Sequence, residues 1–82
     1  MPVATVDPTG LSYTVANNVR MYAAKRRLNH ETLAAQMTAH GFPMKRAGIA
    51  AITGQRRQRI SVDEAAAFAR IFGVTLDDML AD

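Results

Sequence analysis

Helix punctuation limits this chain more than any other feature. Asn29, Ser61 and Thr75 each place an oxygen-bearing side chain just ahead of an apolar-periodic run. There it can accept a hydrogen bond from an unpaired N–H of the first helical turn. Gly41, Gly54 and Gly73 each follow such a run, where a helix is expected to stop. Signals this closely spaced leave room only for short helices, and no segment shows the alternation of a strand. The pattern predicts an all-α chain folded as a compact five-helix bundle.

The first helix begins at Leu11, because Leu11, Val15, Val19 and Tyr22 recur at intervals of four, four and three. It runs to about Arg27, and Lys25, Arg26 and Arg27 place cations where the helix dipole favours them. The second, capped by Asn29 with Glu31 in its first turn, buries Leu33, Ala34 and Met37. The third spans about 43–53 with Pro43 in its first turn; it buries Met44, Ile49 and Ile52 and turns Arg46, Ala47 and Ala50 outward. Ser61-Val62-Asp63-Glu64 is a capping box for a fourth helix with the stripe Phe68, Ala69 and Phe72, and Val74 can fold back past Gly73 onto Ala69. Thr75 caps a last helix to about Ala81, burying Leu76, Met79 and Leu80. Residues 1–10 hold two prolines and a glycine without helical period and are expected to form an extended or disordered arm, with 11–82 as one domain.

Composition removes several classes of function. The 82 residues include no cysteine, which excludes disulfides, thiol chemistry and cysteine-ligated zinc. No apolar run approaches the roughly 18 residues of a membrane span, and the first ten residues lack the regions of a secretion signal. The expected setting is a bacterial or phage-infected cytoplasm, with no membrane partner. Asp63-Glu64 and Asp77-Asp78 fall in first helical turns, where carboxylates stabilise the terminus, and have no neighbouring His, Lys or glycine-rich loop. His30 and His40 have no acidic or thiol neighbour at ligand spacing, and Ser12 and Ser61 read as capping or surface hydroxyls. Neither enzymatic activity nor a metal or cofactor is expected.

Charge is unevenly placed. The net charge is +3, but residues 20–59 carry nine basic side chains against Glu31 alone, giving +8, while residues 60–82 carry −4. One surface should therefore face a polyanion while the acidic end faces elsewhere. The second and third helices, joined by a turn containing Gly41, suit a helix-turn-helix whose second helix enters the major groove of double-stranded DNA. Lys45 and Arg46 would then read base edges, and Ala47 and Ala50 would make apolar contacts. Ala47, Gly48, Ala50 and Ala51 would leave a narrow surface for close backbone approach. Asn29, His30, Arg56, Arg57 and Arg59 would hold phosphates, which position a protein without specifying sequence.

The segments VRMYAAKRRLNHETLA (19–34), AGIAAITG (47–54) and ISVDEAAAFARIFGVTLDDML (60–80) resemble the XRE family, the phage Cro and repressor type of helix-turn-helix domain. The resemblance implies a lambda-repressor-like, five-helix DNA-binding domain that regulates transcription as a repressor, usually as a homodimer on a paired half-site. Four features depart from the family pattern. His30 stands where a phosphate-clamping glutamine is common, and Lys45 replaces a capping serine. Met37–Met44 is longer than the usual turn, and Thr53-Gly54 occupies the place of a frequent glutamate. The rival reading keeps the scaffold but applies it to another protein, as an antitoxin or adaptor would. Ala47–Ala51 and the acidic C-terminal end would then be the contact surfaces.

Overall fold

In the computed structural model, which describes residues 11–54 and 60–81, the chain forms α1 (Leu11–Lys25), α2 (His30–Ala39), α3 (Arg46–Thr53), α4 (Val62–Phe72) and α5 (Leu76–Leu80). The described residues form no strand. The expected arm 1–10 and the loop 55–59 lie outside the described residues, as do Asp82 and the Leu11 side chain.

Three helices end by the same device. Leu28 N–H donates to Ala23 O, Phe42 N–H to Met37 O and Val74 N–H to Ala69 O, each at 2.9 Å. In each case the residue just before the donor is left-handed: Arg27 at φ 55°, Gly41 at φ 93° and Gly73 at φ 72°. The reversal pairs carbonyls that the last helical turn would otherwise leave unsatisfied. Glycine adopts this conformation without penalty at Gly41 and Gly73, whereas Arg27 adopts it with a side chain attached. The first helix therefore stops at Lys25, two residues before the sequence-based boundary.

Helix starts are equally local. Asn29 Oδ1 accepts from Thr32 N–H at 2.7 Å. Ser61 and Thr75 both complete capping boxes, with Glu64 and Asp78 returning the bond to the cap N–H. The third helix differs from expectation: it begins at Arg46 rather than near Pro43, with Lys45 as an extended N-cap. Thr38 Oγ1 accepts from Met44 N–H at 3.2 Å, and lies 3.0 Å from Ala34 O and 3.3 Å from Met44 O. That bond satisfies the Met44 backbone outside a helix and holds the segment ahead of α3 as a loop. Met44 is consequently half-buried beside the core rather than within it.

The core gathers Val15, Val19, Leu33, Met37, Ile49, Ile52, Ile60, Phe68, Phe72 and Met79, all fully buried. Each such side chain contributes roughly 1.5–3 kcal/mol relative to leaving it exposed. α1 packs against α3, α4 and α5, and α2 packs against α3 and α4. Phe72 stacks on Phe68 at 6.2 Å and on half-buried Tyr22 of α1 at 5.6 Å between ring centroids. Leu76 and Leu80 of α5 are half-buried, and Met79 alone from that helix is fully enclosed. Two buried polar side chains tie distant segments together. Ser12 Oγ accepts from Ile60 N–H at 3.4 Å, so this serine is a core group rather than a surface hydroxyl. Asn18 Nδ2 donates to Met79 O at 2.9 Å and to Ala81 O at 2.8 Å. No helix among the described residues is long and apolar enough to cross a membrane.

Candidate nucleic-acid interface

α3 packs against α2 and against α1. Ile49 and Ile52 point into the core, which leaves a narrow outward arc at the start of the helix. Arg46 and Ala47 lie on that arc and are exposed. Lys45, just ahead of it, is exposed, and its donor-only ammonium does not cap the helix. Ala50 is half-buried, so less of its methyl is presented than the sequence suggested. Gly48 sits under Met44, where an added Cβ would lie 3.1 Å from Met44 Cγ. Its small size thus accommodates the half-buried Met44 side chain.

The first turn of α2 faces the same region. Arg46 joins Leu28, Asn29, His30 and Glu31 around an open concavity of about 410 Å³. Asn29 Oδ1 is occupied by Thr32 N–H, which leaves its amide nitrogen as the group that can donate outward. The N–H groups of His30 and Glu31 precede the first intrahelical bond, and a helix N-terminus carries partial positive charge. The Glu31 carboxylate opposes that charge, and the Arg46 guanidinium offsets it.

His30 is less free than a surface ligand would be. Its Nε2 shares a hydrogen bond with Thr53 Oγ1 at 3.3 Å, while Thr53 also reaches Ile49 O at 3.2 Å. The start of α2 is thereby tied to the end of α3. Of the residues expected to touch phosphate, Asn29 and His30 are brought together with Arg46, an expected base reader. Arg56, Arg57 and Arg59 lie outside the described residues.

Two further cations are turned toward aromatic rings. The Arg26 guanidinium lies 5.2 Å from the Tyr22 centroid and 5.9 Å from that of Phe72, and Lys25 Nζ lies 5.8 Å from Tyr22. They add to the positive field but sit against the α1–α4 junction. Among the described residues, no group of three His, Asp or Glu side chains gathers closely enough to hold a metal ion.

Thr38 is the residue of this region that the sequence did not single out. By fixing Met44 it sets where α3 begins, and so where Lys45 and Arg46 project. A threonine in the last turn of a helix, ahead of Gly41-Phe42-Pro43, is a weak signal for that role. The chain matches no family model, no curated protein and no solved structure.

Proposed function

We infer that this chain binds double-stranded DNA as a helix-turn-helix transcriptional regulator, with α3 in the major groove and the first turn of α2 on the phosphate backbone. One observation carries the reading: Arg46, exposed at the start of α3 next to exposed Lys45, shares a concave surface with the N-terminus of α2. Cations beside a helix N-terminus suit a phosphodiester, and the start of the second motif helix is the part that reaches base edges. Arg46 and Lys45 act as the long polar readers, with Ala47 in apolar contact and Ala50 contributing through its remaining exposed area. Asn29 and His30 orient the protein on phosphate, together with Arg56, Arg57 and Arg59. The resemblance to the XRE family supports a repressor that acts by occupying its site.

Selection of bound sequences from a random duplex pool tests the proposal. An enriched motif is expected, and Arg46→Ala should weaken its binding by about 1–3 kcal/mol, the usual value of a bidentate base contact. Absence of enrichment, with the Lys45→Ala/Arg46→Ala protein binding duplex as well as the parent, would replace this reading with the protein-binding one.

A further inference from the structure

Thr53 closes α3 with a hydroxyl that meets three polar atoms. Its Oγ1 lies 3.2 Å from Ile49 O, 3.5 Å from Ala50 O and 3.3 Å from His30 Nε2. A hydroxyl has a single hydrogen, and a threonine within a helix commonly gives it to the carbonyl four residues back. With that hydrogen on Ile49 O, Thr53 Oγ1 meets His30 only as an acceptor, so Nε2 must donate. The neutral ring then holds its hydrogen on Nε2 and a lone pair on Nδ1. Nδ1 is the nitrogen left for a ligand in the concavity that His30 lines with Asn29, Glu31 and Arg46.

An anion meets the two forms of this ring differently. A phosphodiester oxygen only accepts hydrogen bonds, so the lone pair of the neutral ring opposes it. Uptake of one solvent proton at Nδ1 gives an imidazolium whose two nitrogens both donate. Nε2 then keeps Thr53 while Nδ1 makes a charge-assisted bond to phosphate. Among the described residues, the other charged groups lining the concavity are Arg46 from α3 and Glu31 from α2 itself. Lys45 is exposed just ahead of α3, and Arg27 is exposed in the turn before α2. α4 also packs on α2, but its Asp63, Glu64 and Arg70 do not line the concavity.

We propose that Thr53 is a positioning residue that makes the phosphate contact of His30 proton-dependent, so that duplex is bound more tightly as the pH falls. The proposal rests on the DNA reading above and names what controls affinity at that site. Thr53 acts through the ring of His30, by fixing which nitrogen carries the hydrogen and which faces the ligand. Histidine side chains ordinarily change charge between about pH 5 and 8. With one proton taken up per contact, affinity at fixed salt should fall about tenfold from about pH 5.5 to about pH 7.5, the size of one charge-assisted hydrogen bond.

Titrations of the full chain with a mixed-sequence duplex across that range test this, because phosphate contacts do not depend on sequence. His30→Gln should bind without pH dependence. His40→Gln and Glu31→Gln should keep the parent profile, which separates His30 from the other histidine and from the neighbouring carboxylate. Thr53→Val should flatten most of the profile, because the released ring can turn a neutral N–H to the phosphate, and Thr53→Ser should restore it. Imidazole-nitrogen NMR of the free chain at about pH 9 should find the His30 hydrogen on Nε2, and shared between both nitrogens in Thr53→Val. A parent that binds duplex equally at every pH would overturn the proposal and leave the DNA reading standing. So would a hydrogen on Nδ1, a result that does not depend on duplex at all. Absence of duplex binding at every pH would remove the DNA reading, and this proposal with it.

Discussion

Asn17 and Asn18 are neighbours of one residue type, yet the fold uses them in opposite ways. Asn17 is exposed and accepts from Arg20, while Asn18 is 8% exposed and caps the carbonyls at the end of α5. A five-residue helix cannot satisfy its last carbonyls internally, so the donor must come from another element. Asn18→Ala should cost about 1–3 kcal/mol in urea unfolding, because it leaves buried acceptors unpaired. Asn17→Ala should stay within about 0.5 kcal/mol. Equal losses at the two positions would show that the α1–α5 bond contributes little. Arg27 offers the opposite test. Its left-handed φ of 55° carries a strain that glycine relieves, so Arg27→Gly should raise stability by up to about 1 kcal/mol. Removal of that cation makes urea unfolding, rather than ligand binding, the appropriate readout.

At the scale of elements, legibility follows the range of the deciding bond. The capping boxes of α4 and α5 span three residues, and the reversals at Gly41 and Gly73 span five, so both were readable from sequence. The start of α3 was not, because it depends on Thr38 reaching six residues ahead to Met44. Ser12 and Asn18 were also missed, since their partners are 48 and about 60 residues away and nothing local marks them. The site divides along the same line. Exposed Lys45 and Arg46 followed from charge and helix position, whereas the His30–Thr53 bond required α2 and α3 to be packed together. Thr38→Val tests the α3 boundary directly. It removes the hydroxyl while keeping the branched shape, and should cost about 1 kcal/mol. Amide exchange should accelerate around residues 44–49 and remain unchanged in α4. Uniform acceleration would mean that Thr38 stabilises the whole fold rather than this boundary.

For the whole molecule, the division of charge sets how DNA would approach under the proposed function. The +8 of residues 20–59 includes the cations at the start of α3, while the −4 of residues 60–82 includes the acids of α4 and α5. Under the proposed DNA reading, duplex would be repelled from the acidic end and drawn toward the cations at the start of α3, so docking should involve one side of the bundle. If about five phosphates are neutralised, the logarithm of the binding constant should fall with the logarithm of salt at a slope near −4 to −5. Affinity would then drop several hundred-fold between about 50 and 200 mM salt. The same titration separates the two uses open to Arg46, which lines a concavity shared with Asn29 and His30. If its guanidinium reads a base, Arg46→Ala should lower affinity for the selected site and leave the slope unchanged. If it holds a phosphate, the slope should become shallower by about one unit and all sequences should weaken alike. A parent slope near zero would remove the electrostatic basis of the DNA reading, because counterion release accompanies any protein that docks on the phosphate backbone.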